Sequence, residues 1–336
     1  MPELPDAGAR PGYLRAMPET PPSAPAHDAS APSAHGAGRR LAVGVLDVGD
    51  GAWAARVATL PGVALAGLVL ADASAERAGE VARRLGGRPF ASATALAGAC
   101  DAVVVAGPTP ERAAHAATVL EHGAHAFVAW PPAAGPDEAA GLAARAEEAG
   151  VEAAVERPLP TGALVAARPP GWAARLVHLD LAGTDAADGL DATAARRLAG
   201  ALDLCATLCG SHAVARLDAE ADRAPSGLPR AMLLALRFAN GAYAQVALRD
   251  APLVGGGGVR LRAAGPGARL DARAFAGPAC VERDGAPPAT PGAAEPDSLV
   301  AFLGALVDGR RPAHPLSILD AVATLRLAEQ ATARLR

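Results

Sequence analysis

The sequence predicts an α/β fold in two parts, an N-terminal parallel sheet covered by helices and a C-terminal α+β domain on an open, mainly antiparallel sheet. Two observations carry the first part. Apolar runs ("LAVGVL", "VALAGLVLA", "DAVVVAG", "HAFVAW", "VEAAV") alternate with stretches of helical character. Each run is also unbroken, as expected for strands buried on both faces between helix layers. A third observation carries the second part. In "RAMLLALRFANGAYAQVALRD" two strand-like runs meet at Asn240-Gly241, the strongest short hairpin signal.

The elements follow in order. Residues 1–40 are rich in Pro, Ala, Ser and Gly without an apolar period, which predicts a disordered tail, with Met17 as a second candidate start. Residues 41–156 form the first domain. "LAVGVL" is a strand, "DVGDGAW" a glycine-bearing turn and "AARVATL" a helix. "VALAGLVLA" ends at Asp72, and "SAERAGEVARRLG" is a helix with Ser74 as N-cap and arginines in its last turn. "DAVVVAG", "PERAAHAATVLEHG", "HAFVAW", "PDEAAGLAARAEEAG" and "VEAAV" continue the alternation. Residues 157–336 form the second domain. "AARLVHLDLAG" is a strand and "ATAARRLAGALDLCATLCG" a long helix. "VRLRAAG" with "ARLDARAF" is a second hairpin, and "DSLVAFLGALVDG" and "LSILDAVATLRLAEQATARL" are helices that close the fold. The sequence holds no internal repeat.

Composition narrows the function. A formal charge of −4 and a pI near 6.1 supply no basic surface for nucleic acid or an anionic membrane. No apolar run is long enough to span a bilayer, and the first forty residues lack the apolar core of a signal peptide, so a cytoplasmic location is expected. Cys100, Cys205, Cys209 and Cys280 fit reduced thiols in that compartment. All 31 basic residues are arginine. With no lysine in the chain, Schiff-base formation or proton transfer by a lysine is impossible.

The glycine turn "GVLDVGDGAW" follows the first strand, where a dinucleotide fingerprint G-x-G-x-x-G would fall. Aligned so, Asp47, Gly49 and Ala52 take its three positions. Alanine is accepted at the third, and Gly49 keeps the place where backbone approaches a pyrophosphate. Asp47 works against the ligand, because a carboxylate within ~5 Å of a phosphate costs on the order of 3 kcal/mol at an effective dielectric of 20. Asp72, at the end of the second strand, is placed to bond ribose hydroxyls and so favours NAD over NADP, a preference that Arg77 would soften. Pro108, at a strand end, would put backbone along the nicotinamide side of a crevice. No metal site is expected. Cys205 and Cys209 stand four apart on a helix, but no second Cys pair or helical His completes a zinc set.

The stretches "VGVLDVGDGAWAA", "VALAGLVLADASAERA", "DAVVVAGPTPERAAHAATVLEHGAHAFVAWP" and "FLGALVDGRRPAHPLSILDAVATLRLAEQA" resemble the glucose–fructose oxidoreductase/inositol dehydrogenase/MocA (Gfo/Idh/MocA) family of NAD(P)-dependent dehydrogenases, over roughly residues 41–335. The resemblance implies a Rossmann-type first domain, NAD or NADP as cofactor, and a CH–OH substrate. It also implies a C-terminal sheet that shapes the substrate site and mediates homo-oligomers or pairing with a paralogue. The family's Glu-Lys-Pro corresponds to Ala129, Trp130 and Pro131, so Trp130 stands at the position of the lysine that bonds the reacting hydroxyl. The family's Asn and His after an earlier proline correspond to Thr109 and Arg112. Its second signature, on the long helix, aligns with Arg196, Gly200 and Asp203, which puts Gly200 at the histidine position. Arg157 matches an arginine often found near substrate.

Both proton-transfer groups of the family are therefore replaced. An indole N–H donates a hydrogen bond but takes no proton. Trp130 is then either a packed aromatic or a surface that stacks on a ligand in the pocket with Arg157, Arg196 and Asp203. Three readings stay open. One is a divergent oxidoreductase that uses Asp203, His178 or a water, with Arg196 or Arg197 holding an anion. The second is a silent relative that binds a dinucleotide or sugar-like small molecule. The third is a structural subunit that partners an active paralogue.

Overall fold

A computed structural model describes residues 40–47, 51–159, 161, 164–165, 167–182, 190–223, 225, 229–249, 258–273, 279–284, 297–310 and 316–335. Residues 1–39 of the predicted tail, Gly49 in the glycine turn and residues 183–189 of the second domain fall outside them.

The first sheet has six parallel strands: β1 (Leu41–Asp47), β2 (Val63–Leu70), β3 (Arg88–Pro89), β4 (Ala102–Val105), β5 (His125–Val128) and β6 (Ala153–Val155). Helices α1 (Ala52–Ala58), α2 (Ala75–Leu85), α3 (Ala93–Ala97), α4 (Thr109–Glu121) and α5 (Pro136–Ala149) connect them. The order β6-β5-β4-β1-β2-β3 reverses direction between β4 and β1, which opens a crevice at the carboxyl ends of those strands. Val43, Val45, Val103, Val104 and Val105 are all fully buried, as the unbroken apolar runs require. Ser74 caps α2 by accepting from the Arg77 N–H at 3.2 Å. The strand expected to reach Trp130 stops at Val128, and the chain turns through a cis Trp130–Pro131 bond.

The second sheet has β7 (Leu176–Ala182), β8 (Val214–Arg223), β9 (Pro229–Phe238), β10 (Tyr243–Arg249), β11 (Val259–Gly265), β12 (Ala268–Ala272) and β13 (Ala279–Arg283), in the order β13-β12-β11-β7-β10-β9-β8. Only β7 and β10 pair in parallel. Both predicted hairpins form, and Asn240 holds its turn in place. Its side chain donates to the Cys209 carbonyl at 2.8 Å and accepts from the Ala242 N–H at 3.1 Å. One face is covered by α6 (Leu190–Cys209), whose Leu198, Leu202, Cys205 and Cys209 pack with Val177, Leu179, Leu236 and Val246. Because side chains alternate along a strand, His178 and Asp180 stand on the opposite, uncovered face.

The last segments return to the first sheet. In α7 (Ser298–Val307) Leu299, Phe302, Leu303 and Leu306 join the core of β1 and β2. β14 (Leu316–Ser317) adds an antiparallel edge strand to β6, and α8 (Ile318–Leu335) lies against α5, α6 and β8. Among the described residues no helix is long and apolar enough to cross a membrane.

Candidate functional site

The crevice is built from the carboxyl ends of β1, β2, β4 and β5 and from the start of the segment after β6. At its β1 end, Asp47 closes the strand and is 3% exposed. Its carboxylate Oδ2 accepts the Trp53 backbone N–H at 3.0 Å, while its carbonyl accepts the Ala71 N–H at 3.0 Å. Gly51, the N-cap of α1, sits at φ 79° and supplies no side-chain cap, so Asp47 does so from six residues earlier. Ala52 opens that helix and is exposed. Asp72 is exposed on the turn after β2, next to the strand that ends in Asp47, as its proposed ribose role requires.

A resident dinucleotide is tested against this turn. Its phosphate would draw on amides at the start of α1. Of the amides at that helix start, Trp53 N–H already serves a buried carboxylate of the chain itself.

At the other end, Pro108 is half-buried and forms the N-cap of α4. Arg112, one turn into that helix, is 8% exposed and aims its guanidinium at carbonyls. Nε and Nη2 donate to the Gly107 carbonyl at 3.1 and 2.8 Å, and Nη1 donates to Pro131 at 2.7 Å and Ala129 at 3.5 Å. One side chain thus ties the end of β4 to the end of β5. Burial pushes the Arg112 guanidinium below its ordinary value and Arg196 adds to this, while Glu156 pulls it back up.

Trp130 is 5% exposed and belongs to the core, together with Ala133, Leu142, Val155, Ala199 and Val322. Its ring is packed among apolar side chains. Its backbone is held on both sides. The N–H donates to Glu156 Oε2 at 3.2 Å, and the carbonyl accepts from Arg196 Nη1 at 3.4 Å. Arg196 also donates to the Pro158 carbonyl at 2.9 Å and pairs with Glu156 at 3.1 Å. Arg196, one of the two arginines expected to hold an anion, is thus engaged by the protein.

Gly200 faces Leu159. A Cβ placed on Gly200 would lie 2.3 Å from Leu159 Cγ and 2.6 Å from Cδ1. A side chain at the family's histidine position would therefore require Leu159, from the segment after β6, to move. Below it, Arg157 Nη1 meets Asp203 Oδ2 at 2.5 Å, with side chains 13% and 1% exposed. Burial raises the Asp203 carboxyl above the ordinary carboxylate range, although Arg157 and His212 pull it down. The structure brings Trp130, Arg157, Arg196, Gly200 and Asp203 into one connected region through Glu156, Pro158 and Leu159. His178 is elsewhere, on the uncovered face of β7 beside Asp180 at 3.3 Å and Gln245 at 3.2 Å. Cys205 and Cys209 are fully buried, and among the described residues no cluster could hold a metal ion.

Residues 42–157 match the family described as "Oxidoreductase family, NAD-binding Rossmann fold". The matched domain belongs to the Gfo/Idh/MocA family. No protein of curated function matches the sequence. Among solved structures, the chain is similar to UDP-N-acetylglucosamine 3-dehydrogenase from Acidithiobacillus ferrooxidans. The TM-score is 0.75 at 23% identity, covering 88% of this chain and 98% of that one. It is similar also to an oxidoreductase from Agrobacterium radiobacter in complex with NAD+, L-tartaric acid and magnesium (TM-score 0.69, 18% identity, 88% and 96% covered). A third is biliverdin reductase from Synechocystis in complex with biliverdin and NADP+ (TM-score 0.61, 19% identity, 88% and 99% covered). At these identities the likeness establishes the two-part fold, with the Gfo/Idh/MocA domain followed by the open sheet.

Sequence reasoning missed Glu156, Leu159 and the clamp made by Arg112. Glu156 and Leu159 flank Arg157 in "VERPLP", but no local signal distinguishes them. Their importance arises from the approach of α6.

Proposed function

We propose that this protein is a non-catalytic member of the Gfo/Idh/MocA family, a hydride-transfer scaffold whose proton-transfer positions are closed by packing. The observation that carries the reading is Leu159 seated against Gly200. Oxidation of a secondary alcohol sends a hydride from carbon to the nicotinamide and a proton from the hydroxyl to a base. A positioned base contributes about 10²–10⁴-fold. In this chain the lysine position holds a core tryptophan, and the histidine position has no room for a side chain. Neither side chain considered from sequence supplies a replacement: Asp203 is buried against Arg157, and His178 lies on the far face of the second sheet.

The test is an assay of the purified chain with NAD+ and NADP+ against sugars, nucleotide sugars and hydroxy acids, following reduced nicotinamide. No substrate-dependent reduction is expected. Trp130→Lys does not restore it, because Leu159 still fills the second position, and burying a lysine in that core costs roughly 3–5 kcal/mol in urea unfolding. Wild-type turnover in the ordinary enzyme range, about 1–10³ per second, overturns the reading.

The partner that fits this reading is a second copy of the chain, docked through the uncovered face of the second sheet. Leu176, Leu233 and Tyr243 are 50%, 43% and 42% exposed on that face. Leu176 and Tyr243 are direct cross-strand neighbours. Exposed Asp218, Glu220 and Asp222 on β8, with Arg216 paired to Asp218 at 2.7 Å, border the patch at one side, and Arg260, Arg262 and Arg269, with Asp271 paired to Arg262 at 3.4 Å, at the other, so the borders are acidic and basic only in balance. A two-fold axis parallel to the strands lays the acidic border of one copy over the basic border of the other, as an isologous interface requires.

A further inference from the structure

We propose that the chain recognises its second copy by seating that copy's Tyr243 in a trough on the open face of the second sheet, above Ala264, and that the exchange is made twice about a two-fold axis along β7. The inference rests on the reading that a second copy docks on this face, and it adds the residues that select that copy. It begins from register. Leu176 on β7 is the direct cross-strand neighbour of Tyr243 on β10 at one side and of Ala264 on β11 at the other. The three stand in one row on the face opposite α6, because side chains alternate along each strand. β7 is the central strand of the seven, with three strands on either side of it.

The two sides of that row differ in relief. On the β11 side lies a trough of about 680 Å³, whose lining includes Leu176, His178, Arg262, Ala264, Arg269 and Glu282. On the β10 side Tyr243 projects, and Leu176 is exposed between the two. An isologous interface must be its own complement, so a hollow on one side of the axis requires a projection at the same distance on the other. A two-fold axis along β7 meets this condition. It sets Leu176 against its own counterpart and carries each Tyr243 to the place over Ala264 of the other copy. Stacked sheets lie about 10 Å apart, which admits a tyrosine opposite an alanine but not opposite another tyrosine. Such sheets cross at about 30°, a displacement of roughly 3 Å one strand from the axis, less than half the ~7 Å between successive side chains on one face. The seating of Tyr243 therefore survives the crossing. Its ring covers Leu176 and Ala264, and its hydroxyl is directed to the trough wall. There Arg262, paired with Asp271 at 3.4 Å, keeps further N–H groups to donate.

The experiment is sedimentation equilibrium of the full chain at neutral pH. It compares wild type with Ala264→Tyr, with Tyr243→Ala, and with the double variant that carries both changes. Circular dichroism and melting temperature establish which of them are folded. Wild type is expected to be a dimer. Each single variant should weaken association by about tenfold or more, as loss of a central aromatic anchor does, the first by filling the trough and the second by leaving it unfilled. The double variant exchanges projection and hollow, so its association should recover to within about threefold of wild type. A folded double variant as weak as the single ones overturns the proposal, as does an Ala264→Tyr chain that pairs like wild type. Should the Ala264→Tyr chains not fold, Tyr243→Ala decides, and pairing unchanged from wild type overturns the proposal. A dimer that Leu233→Glu with Tyr243→Glu disrupts and Ala264→Tyr does not would keep the second-copy face and overturn only the seating of Tyr243. A monomeric wild type overturns both.

Discussion

Arg157 and Asp203 form an almost wholly buried ion pair. The Asp203 carboxylate is 1% exposed, one oxygen is held by Arg157, and the other finds no hydrogen-bond partner among the described residues. Removing one partner of such a pair leaves a buried charge, which typically costs about 3–5 kcal/mol, whereas replacing both by apolar groups is often neutral. Arg157→Met is therefore expected to lose on the order of 3–5 kcal/mol in urea unfolding, and Arg157→Met with Asp203→Leu to recover most of it. Equal losses in single and double variants would mean that packing, not charge, sets the cost. The same logic separates the two ends of the crevice. Arg112 spends its donors on three backbone carbonyls, so its role is to join β4 to β5. Sequence alignment placed it at a histidine position, but only the fold reveals that it points inward.

Helix α6 is legible as an element and opaque as a site. Its apolar period and the Cys205, Cys209 spacing predicted a helix with one buried face, and both thiols are fully buried against β7 and β10. Burial raises the Cys209 thiol to about 12 and pushes Cys205 up as well, and desolvation takes Cys100, beside Asp101, to about 11. A folded-state value raised above the unfolded one means that the native state holds its proton more tightly. The associated stability is complete below the unfolded thiol value, about 9, and is lost as pH rises toward 11–12. The melting temperature should fall steadily above about pH 9, and Cys209→Ala with Cys100→Ala should flatten that fall. In native protein at pH 8, a thiol reagent should reach the partly exposed Cys280 and Cys100, and the buried Cys205 and Cys209 only on unfolding. Among strands, β8 was missed because its inward positions include Ala219 and Ala221, too small to stand out as an apolar alternation. The tryptophan turn was misjudged by two residues because an apolar run does not say where pairing ends.

At the scale of the whole molecule, the chain returns on itself: α7 completes the core of β1 and β2, β14 extends the first sheet, and α8 bridges the two halves. Truncating after β13 would therefore expose the first domain's core. Among the described residues one face of the second sheet is uncovered, with the exposed Leu176, Leu233 and Tyr243 at its middle. Light scattering of the purified chain is expected to give a dimer, and Leu233→Glu with Tyr243→Glu a folded monomer. A monomeric wild type would sink the second-copy interface. A wild type that stays monomeric alone but pairs with a family relative would replace it with a paralogue.

The sequence by itself determined the order of elements, because period and capping are local properties, and it determined the absence of a lysine, because composition is absolute. It also placed Asp47 in the phosphate turn and Trp130 at the end of a strand. What those residues do was decided only in three dimensions. The direction of the Asp47 carboxylate depends on where the α1 amides lie, and the burial of Trp130 depends on α5 and α8 closing over it. That a Cβ placed on Gly200 would come within 2.3 Å of Leu159, 41 residues earlier, depends on a contact between segments that no local pattern encodes.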